Sequence, residues 1–73
     1  MKNPDGIVEF GLRLRNLREA KKMSQQALAV DSDIALSTVQ RIEQAQIATN
    51  IDIVLSLAKA LDVSPEELFK KGR

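Results

Sequence analysis

Between residues 35 and 45 the polar side chains are sorted by direction. At about 100° per residue on a helix, Val39 and Ile42 fall on one side, with Ala35 and Glu43 beside them. Ser37, Arg41 and Gln44 point the opposite way, flanked by Thr38 and Gln40, with Leu36 on the border. That outward face holds hydroxyls, amides and a guanidinium, and no acid. These groups pair with base edges and phosphate oxygens: Arg with guanine, Gln with adenine, Ser or Thr with either, and a Leu methyl against thymine. An ordinary solvated face is the competing reading, but such faces usually carry Glu and Lys. This one carries neither.

Other chemistry is scarce. The 73 residues include no His, no Cys and no Tyr, which removes Ser-His and Cys-His nucleophile pairs and phenolic acids and bases. Disulfides and thiolate or imidazole metal sites go with them. No enzyme activity, cofactor or metal is expected, and a chain of this size has little room to hold a small-molecule ligand. The longest apolar run is four residues, Ala27 to Val30, too short to cross a membrane. The start, Met1-Lys2-Asn3-Pro4-Asp5-Gly6, lacks the apolar stretch of a signal peptide. The expected location is therefore the cytoplasm.

The elements that position the outward face are helical. Apolar spacing is helical throughout, and no period-two run is long enough for a strand. Only three Gly and two Pro occur, all near the ends, so helix limits must be read from caps. Asn3 and Pro4 would open a first helix that runs to about Lys22, with Ile7, Phe10, Leu14 and Leu17 inward. Ser24 would cap a short second helix carrying Leu28 and Ala29 inward, which ends at Asp31-Ser32-Asp33. A third helix follows from about Ala35 to Gln44. Asn50 would cap a fourth, with Val54, Leu57, Ala58 and Leu61 on one stripe. Ser64-Pro65-Glu66-Glu67 has the Ser cap, first-turn Pro and following Glu of a fifth start. The prediction is an all-α, compact five-helix bundle in a single domain over residues 1–73, with its core between 7 and 70. Its second and third helices have helix-turn-helix spacing, which suits a major groove about 12 Å wide.

Two features bear on how such a bundle is held. Glu43 lies on the inward arc of the third helix, where a carboxylate must be paired or stay wet. Arg18, one turn after Leu14, is the natural partner, and an Arg-carboxylate fork would set the angle of the third helix. Two independently solvated charges are the alternative. Net charge is only +1, but residues 1–41 hold seven Lys or Arg against five acids, and residues 42–73 hold four against five. That mild tilt suits a phosphate-facing N-terminal half.

Three segments together are specific: Met23-Ser24-Gln25-Gln26-Ala27-Leu28-Ala29, Ser37-Thr38-Val39-Gln40-Arg41-Ile42-Glu43, and Leu57-Ala58-Lys59-Ala60-Leu61-Asp62-Val63-Ser64. From about Phe10 to Phe69 the chain resembles the phage-repressor and Cro-type, or XRE, helix-turn-helix family. The resemblance implies a lambda-repressor-like DNA-binding fold and a transcriptional regulator that binds double-stranded operator DNA, as a homodimer on a palindromic site. It implies base contacts from Leu36, Ser37 and Arg41, which Gln40 and Gln44 join by their place on the outward face. It implies a phosphate contact from Gln25 at a positive helix terminus, with Ser24, Thr38 and Gln46 assigned beside it. It also implies an Arg18–Glu43 ion pair. Such a regulator would be associated with the nucleoid.

This chain departs from the family pattern at four places. Asp33 replaces a turn glycine, Ala35 the usual Ser or Thr cap, Ala45 a helix-ending glycine, and Thr49 a frequent proline. Asp33 should accept a left-handed backbone better than most residues, and either Asp33 or a shifted helix start would make up for the missing cap at Ala35. Val8, Leu12, Ile53 and Leu55 lie off the core stripes, a surplus for the fifth helix, the N-terminal turn or a second copy to cover, the copy through the fourth and fifth helices. The main alternative is a protein-interaction module of the same fold, holding a toxin or a polymerase subunit.

Overall fold

The computed structural model describes residues 4–70, with backbone alone at Pro4. Four α-helices and one 3₁₀ turn follow one another: α1 (Pro4–Ala20), α2 (Gln25–Ser32), α3 (Leu36–Glu43), α4 (Ile51–Leu61), and the 3₁₀ turn Pro65–Phe69. The expected Asn3 cap lies outside the described residues. No helix among the described residues is long and apolar enough to cross a membrane.

Each helix stops in the same way. Lys22, Asp33, Ala45 and Asp62 all take a left-handed backbone, with φ between 58° and 60°, and none of them is glycine. In each case the next residue's N–H bonds back five residues: Met23 to Arg18, Ile34 to Ala29, Gln46 to Arg41 and Val63 to Ala58, at 2.8–3.1 Å. Met23, Ile34 and Val63 then pack against the core. These apolar anchors hold the Schellman turn where glycine would usually relieve it. The first helix therefore ends at Ala20 rather than Lys22, because the chain must turn early to bring Met23 inward.

Ala45 has no polar side chain to offset its left-handed backbone. That conformation costs roughly 1–2 kcal/mol, and glycine's extra unfolded-state entropy takes back about 0.4–1 kcal/mol. Ala45→Gly should therefore raise stability by about 0.5–1 kcal/mol, read as a higher midpoint in urea. An unchanged or lower midpoint would mean the turn is not strained at Ala45.

Ser24 and Asn50 cap as expected, accepting from the Ala27 and Ile53 amides at 2.9 Å. The third helix is shorter than expected, because Ala35 and Gln44 are its flanking residues, and neither Ala35 nor Asp33 supplies a side-chain cap. The fifth helix is corrected to a single 3₁₀ turn without a Ser64 side-chain bond. Its Glu67 cannot reach back to Ser64 because it is held elsewhere. Arg13 donates from Nε to the Glu67 carbonyl at 2.7 Å and from Nη2 to its carboxylate at 3.1 Å, and Lys70 donates at 2.7 Å. The Lys70 hydrogen bond foremost lowers the Glu67 pKa.

The core is one cluster. Leu14, Leu28, Val39, Ile42, Leu57, Leu61 and Leu68 have almost no exposed surface, and Phe10 meets Phe69 at 5.4 Å between ring centroids, the rings tilted by 44°. The core joins all four α-helices and the 3₁₀ turn, with α2 entering through Leu28 and Ala29 and packing on α3 and α4. Ile53, expected among the surplus apolar residues, is half-buried against this cluster.

Candidate nucleic-acid interface

Two eight-residue helices joined by Asp33, Ile34 and Ala35 make the site. Ile34 and Ala29 tie the turn by a 3.0 Å backbone bond, and Ser32 is buried with its hydroxyl donating to the Leu28 carbonyl at 2.6 Å. The turn is therefore held by bonds within the chain, and α3 packs on α2 with Val39 and Ile42 buried.

The opposite side of α3 has the arrangement expected from its sequence. Ser37, Arg41 and Gln44 are exposed, and Leu36, Thr38 and Gln40 are half-buried at the rim. Gln46 is exposed just beyond the helix end. Among the described residues, the side chains of Ser37, Thr38, Gln40, Arg41, Gln44 and Gln46 make no hydrogen bond or ion pair within the chain. Leu36 packs partly on the core. A row of polar donors and acceptors with no internal partner is equipped to pair with something outside.

Behind this row sits a buried charge network. The Arg18 guanidinium donates from Nε to Glu43 Oε2 at 2.7 Å and from Nη2 to Oε1 at 3.1 Å, the fork read from the sequence. Its Nη1 donates to the Met23 carbonyl at 2.8 Å. Hydrogen bonding to Glu43 raises the Arg18 pKa above the ordinary guanidinium value despite burial. The Glu43 side chain is 3% exposed and that of Arg18 11%. One guanidinium thus joins α1, the α1–α2 turn and the end of α3.

Gln25 completes the network. Its Nε2 donates to Glu43 Oε1 at 3.0 Å, so the residue expected at a phosphate is also bonded internally. Ser24 is exposed, with its oxygen already serving the cap. The sequence reading missed this third donor, since nothing in linear spacing sets residue 25 beside residue 43. It also missed why residue 11 is glycine. A Cβ on Gly11 would stand 2.4 Å from the Ile42 carbonyl oxygen and 3.0 Å from that of Glu43. The backbones of α1 and α3 touch there, beside the fork.

The family model for helix-turn-helix matches residues 14–68. The chain belongs to the helix-turn-helix family, XRE type. This helix-turn-helix chain is similar to the restriction-modification controller protein C.AhdI of Aeromonas hydrophila. The two are 46% identical with a TM-score of 0.85, over 86% of this chain and 96% of that one. The control protein C.BamHI of Bacillus amyloliquefaciens is 33% identical over 61 residues, 82% of this chain and 75% of its own length. The P22 c2 repressor, crystallised in complex with a synthetic operator, is 31% identical with a TM-score of 0.76, over 84% of this chain and 92% of that one.

Proposed function

We propose that this protein is a sequence-specific DNA-binding transcriptional regulator that lays α3 in the major groove. The observation that carries the reading is the outward face of α3, polar, free of acids and without internal partners, on a helix-turn-helix frame. One α-helix fits a groove about 12 Å wide, and the likeness to an operator-bound repressor supports that pose. Leu36, Ser37, Gln40, Arg41 and Gln44 would meet base edges. Ser24, Gln25, Thr38 and Gln46 would meet phosphates, with the positive end of α2 behind Gln25.

The reading includes a homodimer on a palindromic operator, with residues 1–73 acting as one unit at the nucleoid. Ile51 and Leu55 lie one turn apart on α4 and are 70% and 50% exposed, and Phe69 is 62% exposed in the adjoining 3₁₀ turn. Apolar surface of this kind gains from burial against a copy, and a twofold dimer would set its two α3 helices about 34 Å apart, one turn of DNA.

Selection of bound duplexes from a random pool tests the reading. A palindrome with half-sites about one helical turn apart is the expected product, and no enrichment by the folded protein would overturn it. On the selected site, Arg41→Ala should cost about 1–3 kcal/mol and relax one base position. Gln25→Ala should weaken all sequences more evenly. If Arg41→Ala left both affinity and preference intact, α3 would not be the reading helix.

A further inference from the structure

We infer that Glu43 is a positioning residue for DNA binding, acting through Gln25 at the start of α2. The inference rests on the function proposed above. A glutamine amide can turn either end towards a neighbour, but a carboxylate accepts only hydrogen bonds, so it draws in the nitrogen end. With Nε2 bonded to Glu43 Oε1 at 3.0 Å, one amide hydrogen and the carbonyl oxygen of Gln25 remain for an outside partner. The direction of the amide is decided before any ligand arrives.

The carboxylate is fit for this work because it does not itself face the ligand. It is 3% exposed and forked by Arg18, so its charge is neutralised where a bare carboxylate would repel phosphate. Arg18 in turn holds the Met23 carbonyl two residues before Gln25, which fixes the backbone from which the amide projects. Glu43 is the last residue of α3 and Gln25 the first of α2. The bond therefore locks the backbone-gripping end of one helix to the base-reading helix, so that both meet the duplex in one register. Fixing a flexible side chain before association improves affinity by roughly two- to tenfold.

Two measurements test this. In the free protein, the Gln25 side-chain amide should give rigid ¹⁵N relaxation, while the exposed amide of Gln26 averages freely; equal mobility would overturn the inference. In binding to the selected duplex, Gln25→Ala should cost about three- to tenfold in the parent, and less than about twofold in an Arg18→Met/Glu43→Leu background, which has no acceptor for the amide and no stranded charge. An equal cost in both backgrounds would overturn it, because Glu43 would then not act through Gln25. A rigid Gln25 amide in a protein that binds no duplex would overturn the proposed function and leave the bond a purely structural one.

Discussion

Gly11→Ala is expected to destabilise the protein by about 3 kcal/mol, at the upper end of what overpacking usually costs. In an open helix the same change would gain about 1 kcal/mol from helix propensity, so the sign depends on packing alone. Here the new methyl would lie 2.4 Å from the Ile42 carbonyl oxygen and 3.0 Å from that of Glu43. Both obstacles are backbone, so no side-chain rotation relieves them, and α1 must lift away from α3. Lifting also stretches the 2.7 Å Arg18–Glu43 bond that lies beside it. In a domain this small each kcal/mol moves the melting point by about 4–8 °C, which predicts a fall of more than about 12 °C. A melting point equal to the parent's would mean that the two helices slide apart freely and that the close approach is not needed.

Replacing Arg18 by Met should cost about 3–5 kcal/mol, the usual penalty for stranding one partner of a buried pair. Small domains hold roughly 0.05–0.15 kcal/mol per residue, so much of the fold's stability is at stake. Only the Gln25 amide would remain on the Glu43 carboxylate, and the Met23 carbonyl would lose its donor. The pH dependence follows from the direction of the Arg18 shift. Its pKa is raised in the folded state, first by the hydrogen bond to Glu43. Its contribution is therefore whole below the guanidinium range and lost only as pH rises through that range. Titration of Arg18 itself should accordingly add no pH dependence to the gap between parent and variant from about pH 6 to about pH 9, as urea unfolding reads it. The double variant Arg18→Met/Glu43→Leu should recover most of the loss, since an apolar pair of similar volume needs no desolvation of charge. If Arg18→Met alone unfolded at the parent's urea concentration, the fork would be a surface pair in all but position.

Much of the fold was legible because its signals are local. The Ser24 and Asn50 caps need only a side chain three residues from an amide, and the inward stripes of α1 and α4 need only helical spacing. Glu43 could be placed inward by the same spacing, and Arg18 followed as the one core-facing cation of the first helix. The capping signal at Ser64 misled because its Glu67 is drawn to Arg13, 54 residues away in sequence. The helix stops were harder, since glycine is absent from all four left-handed positions. They are set by where Met23, Ile34 and Val63 must go to reach the core.

By itself, then, the sequence determined an all-helical chain, the facing of its third helix and the family to which it belongs. The first two follow from periodicity, capping and residue type, which act over one or two turns, and the third from the resemblance carried by three motifs along the chain. Only the tertiary structure decided that residue 11 must be bare, that the fifth helix shortens to a 3₁₀ turn, and that Gln25 is bonded to Glu43. Each depends on residues far apart in sequence arriving within a few ångströms of one another. That approach is set by the packing of the whole core, and no spacing along the chain encodes it.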